Sequence, residues 1–207
     1  MFSPAEQELE RGWPGRIVGE EVIQLAAQTL QAYFTGGGNA REHARYPLDE
    51  IVLRAPVLHP PAIRIFDNDG DFVFANPAAV HGPYDPVVLP EGVDAIEGRL
   101  RLVAVMSAGR EIGGFTLMNE WQAPQLRGAK ARDFAISLGP VVVTPDELET
   151  AGDWDPLVEL VARNTRLYPG DIPAAGGELL GPFGVGDVVE VGFEPIGTLR
   201  SSVVATS

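Results

Sequence analysis

From residue 51 onward the chain consists of short apolar runs that are interrupted by glycine and proline. The runs are IVLRAPVL (51–58), AIRIF (62–66), FVFANP (72–77), RLRLVAVM (99–106), GGFTLMN (113–119), PVVVT (140–144) and DVVEVGFEPIGTL (187–199). They are rich in β-branched and aromatic residues, which fit a half-buried pleated surface, whereas Gly and Pro mark the turns between strands. With 24 Gly and 18 Pro in 207 residues, the pattern predicts a mostly β, loop-rich domain with few helices, of the α+β class.

Two segments have helical spacing. The first is Glu20–Phe34, with acidic residues in its first turn and three glycines at 36–38. Its predicted apolar stripe consists of Val22, Ala26, Thr29, Leu30 and Tyr33. The second segment is Asp155–Asn164, where Leu157, Leu160 and Val161 share a face. We therefore predict an N-terminal segment, residues 1–56, with one amphipathic helix, and a main domain at 57–204.

The charge balance limits the classes of partner. A net charge of −14 and an isoelectric point near 4.5 disfavour nucleic acid and anionic membrane surfaces, since both are recognised largely through Lys and Arg. The start of the chain has no apolar signal-peptide core, and no segment approaches the length of a membrane span. The absence of cysteine excludes disulfides, thiolate metal sites and a cysteine nucleophile. We expect a cytoplasmic protein whose partner is a small molecule.

The stretch 115–149, FTLMNEWQAPQLRGAKARDFAISLGPVVVTPDELE, has several recognisable motifs. It resembles the fumarylacetoacetate hydrolase family, in which the corresponding segment reads close to MNDWSARD, then Lys-Asp-Phe or Lys-Ser-Phe, then LGPW and VTPDEL. Other parts of the chain carry the resemblance too: FVFANPAAVHGPYD (72–85), LYPGD (167–171), GDVVE (186–190) and IGTLR (196–200). The resemblance therefore extends over nearly the whole sequence.

The resemblance implies a fold and an activity. The fold is a rolled, mixed β-sheet domain with few helices, preceded by a short N-terminal segment that contains helix. The activity is metal-dependent C–C hydrolysis, decarboxylation or isomerisation of 2-oxo or β-dicarbonyl acids, with Mg²⁺ or Mn²⁺ as cofactor. Such an ion is a hard cation that binds carboxylate oxygens and stabilises a developing enolate. The resemblance also implies a homodimer that binds a small oxo acid or a related ligand.

The positions that match the family's metal ligands have changed. The family supplies Glu-x-Glu on one strand and the Asp of its Asn-Asp pair, which match Glu97-Gly98-Arg99 and Glu120. Glu97 and Glu120 are thus candidate metal ligands, with Arg99 at the third position; an alternative register has Ala95 and Glu97 at the pair. A guanidinium at about 4 Å from a divalent ion costs about 8 kcal/mol at an effective dielectric near 20. We predict no metal or weak Mg²⁺ or Mn²⁺ binding, with Arg99 bridging Glu97 and Glu120.

Other site positions of the family also differ here. The Arg and Asp of its SARD motif fall on Pro124 and Gln125, and its Lys falls on Arg132 or, with a longer loop, on Lys130. Arg132 is the preferred match because the tripeptide that it begins resembles Lys-Asp-Phe. Arg132 and Lys130 are the catalytic candidates, and Arg99, Gln125 and Trp121 are the substrate-binding candidates. For Trp121, a position in the hydrophobic core is as well supported as a role in substrate binding.

Two further family elements are missing. The Thr hydroxyl of its SGT or TGT motif is lost at Ala175-Gly176-Gly177, and its water-activating lid is reduced to Asp67-Asn68-Asp69-Gly70-Asp71, which predicts a polar tight turn. That turn lacks the spacing and the final Glu of a calcium loop. Two functions therefore remain open. One is a family enzyme whose activity is lost or altered. The other is a pocket redeployed for metal-free cyclisation or isomerisation in secondary metabolism, or a non-catalytic binder or regulatory paralogue.

Overall fold

The computed structural model describes residues 1–7, 9–68, 71–148 and 152–206, with backbone alone at 67 and 68. Within those ranges it has two α-helices, α1 (Leu30–Thr35) and α2 (Asp155–Ala162). Its strands are β1 (Phe2–Pro4), β2 (Gly15–Val18), β3 (Glu21–Leu25), β4 (Glu42–Pro47), β5 (Ile51–Leu53), β6 (Ile63–Asn68), β7 (Asp71–Ala75), β8 (Val80–His81), β9 (Val87–Val88), β10 (Ile96–Met106), β11 (Ile112–Gln122), β12 (Ile136–Val143), β13 (Ile172–Ala175), β14 (Glu178–Phe183), β15 (Val188–Phe193) and β16 (Gly197–Val204).

The main sheet has the strand order β7-β6-β13-β10-β11-β12-β8, and β14 also pairs with β10. The pairs β13–β6 and β12–β8 are parallel, whereas β10–β11, β11–β12, β10–β14 and β6–β7 are antiparallel. This confirms the prediction of a mostly β domain built on a mixed sheet. Further strands form a three-stranded sheet β15-β16-β9, a three-stranded sheet β2-β3-β4 and the pair β1–β5.

The two long strands β10 and β11 form the centre of the domain. Their side chains alternate between the two faces of the sheet, and both faces are covered by core residues. Val103 and Met118 belong to one core cluster, whereas Ala104 and Leu117 belong to another on the opposite face. Burial on both faces is the reason why these strands read as nearly continuous apolar runs. The charged side chains near the start of β10 and the end of β11 therefore differ from the mostly apolar residues along the rest of the two strands.

The predicted helix at Glu20–Phe34 is wrong in its first half. The structure has β3 there, hydrogen-bonded to β2 on one side and to β4 on the other. Val22 and Ile23, at 1% and 2% exposure, both lie in the core, which a strand between two neighbours permits and a one-sided amphipathic helix does not. Helix begins only after Thr29, whose Oγ1 accepts a hydrogen bond from the Ala32 backbone N–H at 3.0 Å.

The second predicted helix is confirmed as α2, which buries Val161 and Ala162. The sequence predicts a tight turn at 67–71; in the structure β6 ends at Asn68, β7 begins at Asp71, and these two residues lie opposite each other in the register. Positions 69 and 70 are outside the described residues. The division of the chain at residue 56 stays a prediction. Neither helix in the ranges described has the length and apolar character of a membrane-spanning segment.

Candidate functional site

Glu120 is a fully buried carboxylate near the end of β11, at 0% exposure. Burial of a lone carboxylate costs several kcal/mol, so it needs charged or hydrogen-bonding partners. Arg101 donates from Nη2 to Oε2 of Glu120 at 3.2 Å. Arg132 reaches the other oxygen, Oε1, through Nε at 2.7 Å and through Nη2 at 2.6 Å. Both oxygens of Glu120 are therefore bound by guanidinium groups.

Strand register explains why Arg101 meets Glu120. Arg99 lies directly opposite Glu120 in the antiparallel β10–β11 pair, and Arg101 lies opposite Met118. Side chains two residues apart on a strand share a face, so Arg99, Arg101 and Glu120 all project on one side of the sheet. Arg101 is the diagonal neighbour of Glu120, a spacing that long side chains span.

Arg132 comes from the loop between β11 and β12. The loop folds back onto the end of β11, since the Ala123 N–H donates to the carbonyl of Ala131 at 2.8 Å and the Trp121 N–H donates to the carbonyl of Ala135 at 3.2 Å. These backbone bonds carry Arg132 to the buried carboxylate. Its side chain is 31% exposed, compared with 0% for Arg101, so Arg132 lies at the boundary between the buried pair and solvent.

The turn between β13 and β14 covers the stems of both β10 arginines. Arg101 donates from Nη1 to the carbonyl of Gly176. Gly177 has φ of +133°, and a Cβ at this position would lie 2.8 Å from Cγ of Arg99 and 3.1 Å from Cγ of Arg101. Only glycine fits this backbone conformation and this contact. At Gly177, where the sequence lacks the Thr of the motif that it resembles, the backbone packs directly on the two arginines.

Arg99 does not form the bridge between Glu97 and Glu120 that the sequence predicted. Among the residues that the structure describes, Arg99 has no ion pair within 4.0 Å, and its buried Nε has no hydrogen-bond partner. Glu120 is bound by Arg101 and Arg132 instead, because Arg101 reaches it diagonally and the loop delivers Arg132. Sequence matching missed Arg101, although its position two residues after Arg99 on a strand was a usable signal.

The remaining candidates are dispersed. Glu97 is half-buried and lies opposite Gln122. Lys130 has a side chain that is 80% exposed and pairs with Asp133 at 3.0 Å. Gln125 is exposed in the same loop. In the part of the chain that the structure covers, the hydrogen bonds and ion pairs of Glu120 are to arginine, not to Lys130 or Gln125. Of the two catalytic candidates, only Arg132 is brought to the buried carboxylate.

Trp121 lies on the opposite face of β11 from Glu120. It is fully buried, donates from Nε1 to Oγ of Ser137 at 3.0 Å, and packs edge-on against Phe183 at a ring-centroid distance of 6.2 Å. Ser137 in turn bonds to Ser201, with 3.1 Å between the two Oγ atoms. The structure thus places Trp121 in the core, which was one of its two predicted roles.

The donor set around Glu120 does not fit a divalent cation. Both Glu120 oxygens are already bound by arginine, and the residue directly opposite it on β10, Arg99, is a further arginine. Over the described ranges, no three His, Cys, Asp or Glu side chains are grouped closely enough to hold a metal ion. A cation such as Mg²⁺ needs several oxygen ligands, and here guanidinium groups occupy those places.

A surface cleft of about 710 Å³ lies at the other end of the β10–β11 hairpin. Arg110 from the hairpin and Arg166 and Tyr168 from the segment after α2 line it. Glu120 and Arg99 lie near the opposite end of the same two strands, so the cleft is separate from the arginine cluster.

No protein-family model matches the chain. A 2,4-didehydro-3-deoxy-L-rhamnonate hydrolase of Sphingomonas sp. (strain SKA58) is 28% identical over 61% of this chain, which spans 62% of the length of that enzyme. Protein Rv2993c of Mycobacterium tuberculosis is 26% identical over 94% of this chain and 91% of its own length.

The fold is similar to that of solved enzymes. Maleylpyruvate hydrolase from Sphingobium sp. SYK-6, in complex with manganese(II) and pyruvate, has a TM-score of 0.81 at 20% identity and covers 95% of this chain and 97% of its own. The 5-carboxymethyl-2-hydroxymuconate delta-isomerase of Mycobacterium smegmatis has a TM-score of 0.76 at 22% identity and covers 94% of each chain. The chain therefore shares the fold of these solved hydrolase and isomerase structures, and its motifs at 72–85 and 115–149 resemble those of the fumarylacetoacetate hydrolase family.

Proposed function

We propose that this protein binds a small oxo acid, or a related carboxylate, at a site where arginine side chains take the place of a divalent metal ion. The observation that carries the proposal is the buried carboxylate of Glu120, bound by Arg101 and Arg132 at hydrogen-bond distance. In this proposal the metal-dependent hydrolysis, decarboxylation or isomerisation of the family is lost or altered.

Electrostatics supports the absence of a metal ion. Arg101 is fully buried and donates to both Glu120 and the Gly176 carbonyl, so an ion at this place would have to displace it from both partners. A divalent cation about 4 Å from its guanidinium would be repelled by about 8 kcal/mol at an effective dielectric near 20. Arg101 already neutralises the charge of Glu120 that such an ion would neutralise.

The choice of ligand follows from the charge of the site. Arginine offers a planar fork of donors that matches a carboxylate, and Arg99 and Arg132 bring further positive charge next to Arg101. Pyruvate is the acid bound with manganese in the maleylpyruvate hydrolase of similar fold. A 2-oxo acid is therefore the first ligand to test.

One observation favours a second candidate function, metal-free isomerisation or cyclisation. Arg132 is held against Glu120 by two nitrogen atoms, yet its side chain is 31% exposed. A positive charge fixed at the edge of a buried site stabilises an enolate oxygen that develops during reaction. Arginine does not act as the general base in such a step, so this function requires a base from another group.

The proposal includes a homodimer, which follows from the resemblance alone, and the cytoplasmic location expected from the sequence. Sedimentation velocity of the purified chain tests the first. A monomer over the micromolar range would contradict it.

The site proposal is tested by calorimetry with pyruvate and by turnover assays on acylpyruvates and oxaloacetate. Each is performed after EDTA treatment and again with added Mn²⁺ or Mg²⁺. We expect pyruvate to bind equally with and without EDTA, and no turnover that depends on metal. Metal-dependent turnover that disappears in Glu120→Ala contradicts the proposal, and so does the absence of any oxo-acid binding by the folded protein.

A further inference from the structure

Arg99 is a cation that lacks a counter-ion within the described chain. It is half-buried on β10, its Nε is buried without a hydrogen-bond partner, and no carboxylate lies within 4.0 Å. Charged groups that leave water are normally paired, because desolvation without a partner is costly. The position of Arg99 therefore needs an explanation beyond folding.

The two nearest acids do not supply the missing partner. Glu120 lies directly across the strand pair, but both of its oxygens are bound by Arg101 and Arg132. Glu97 shares the face of Arg99 two residues earlier on β10, yet no ion pair joins them in the residues that are described. Among the described residues, the guanidinium of Arg99 therefore takes no part in the ion pairs of the site.

The stem of Arg99 is held in place. Gly177 lies against it so closely that an added Cβ would be 2.8 Å from Cγ and 3.1 Å from Cδ of Arg99. On its two sides β10 is hydrogen-bonded to β11 and β14, with Glu120 and Leu179 opposite Arg99. A side chain whose stem is packed loses less conformational entropy on binding a ligand. The packing therefore orients Arg99 before a ligand arrives.

We propose that Arg99 is the receptor for the ligand's carboxylate group and that it selects ligands by charge. The inference rests on the proposed function, since it assigns one residue within the same oxo-acid site. An anion on Arg99 lies next to Glu120, and their repulsion is offset because Arg101 and Arg132 already neutralise that carboxylate. The fork of the guanidinium binds two oxygens of one carboxylate, so an ester or amide of the same acid loses both charge and geometry.

The direct test is calorimetry in EDTA with pyruvate and with methyl pyruvate as the neutral probe. The wild-type protein is compared with Arg99→Gln, Arg99→Lys and the control Arg45→Gln, which removes the same charge from an exposed pair with Glu21 in the N-terminal sheet. We expect pyruvate affinity to fall at least 10-fold in Arg99→Gln, by an intermediate factor in Arg99→Lys, and by less than 2-fold in Arg45→Gln. Methyl pyruvate should bind at least 10-fold more weakly than pyruvate to the wild type, and equally to wild type and Arg99→Gln.

A second measurement separates the receptor role from a structural one. Without ligand, Arg99→Gln should have an unchanged or higher Tm, because it removes a half-buried charge that has no partner. With 10 mM pyruvate, the Tm of the wild type should rise and that of Arg99→Gln should not. A clear loss of ligand-free Tm in both Arg99→Gln and Arg99→Met would show that Arg99 supports the fold, which overturns the assignment.

The two proposals fail in different ways. If wild type and Arg99→Gln bind pyruvate with equal affinity, the role of Arg99 is refuted while the carboxylate site stands. If the wild type binds neither pyruvate nor another oxo acid, the proposed function fails, and the assignment of Arg99 fails with it.

Discussion

Arg101 and Glu120 form an ion pair of 3.2 Å in which both side chains are fully buried. Such pairs contribute little net stability, because desolvation offsets their attraction, but removal of one partner leaves a buried charge that is strongly unfavourable. The resemblance noted in the sequence implies a metal ion in this region. Here arginine side chains of the chain itself supply positive charge to both oxygens of Glu120.

The first prediction concerns stability. Glu120→Gln should destabilise the protein by about 3 kcal/mol, because it leaves the guanidinium of Arg101 buried without its carboxylate. Urea denaturation measures the effect. The double variant Arg101→Met/Glu120→Gln should recover part of the loss. As a matched control, Glu21→Gln breaks the exposed pair with Arg45 and should cost less than about 1 kcal/mol. Equal costs for the two single variants would contradict the structural role of the buried pair.

The second prediction is a gain of metal binding. In the double variant Arg99→Glu/Arg101→Glu, carboxylates would replace both guanidiniums that share the face of Glu120, directly opposite and diagonal to it. Because Glu97 shares the face of Arg99, this gives four carboxylates on one face, which supply oxygen ligands of the kind that Mn²⁺ binds. Calorimetry should show Mn²⁺ binding by the double variant and none by the wild type. A folded double variant that does not bind Mn²⁺ would contradict the proposal that arginine replaces a divalent ion at this site. A wild type that binds Mn²⁺ tightly would contradict it too.

The third prediction concerns the turn that covers the arginines. Gly177→Ala should destabilise by about 2 kcal/mol or more, since its φ of +133° is strained for alanine and the new Cβ would contact Arg99. Gly176→Ala is the control, because its φ is +63° and nothing lies within 4 Å of the added Cβ; it should cost about 1 kcal/mol. Thermal denaturation compares the stabilities of the two variants with that of the wild type. A Gly177→Ala variant no less stable than Gly176→Ala would show that the close packing on the arginines is not required.

The fourth prediction separates the two catalytic candidates. Lys130→Ala should change pyruvate affinity by less than 2-fold, because the Lys130 side chain is 80% exposed and pairs with Asp133. Arg132→Ala should weaken binding at least 10-fold, since it removes the part-exposed guanidinium that holds Oε1 of Glu120. Calorimetry in EDTA gives both values. A larger loss in Lys130→Ala would reverse the assignment and favour the longer-loop match.

Much of the fold follows from patterns that are local in sequence. The run RLRLVAVM became β10, GGFTLMN became β11, and PVVVT became the end of β12, because alternating or continuous β-branched residues fit only a sheet that buries them. The stripe at 155–164 became α2, which starts with a proline in its first turn. The EVIQL segment was mispredicted because its apolar residues also satisfy helical spacing over a short window; pairing with β2 and β4 decided its conformation.

By itself, the sequence determined the class of the fold, and it placed Arg99 two residues after Glu97 in the strand that carries the candidate site. Only the tertiary structure decided which arginine side chains bind Glu120. Strand register brings Arg101 to Glu120 while Arg99 lacks a partner within the described residues, and alternation along β11 sends Trp121 into the core. The physical reason is that charge pairing depends on distances across strands and between loops. Those distances are set by strand register and loop packing, which depend on residues far apart in the sequence.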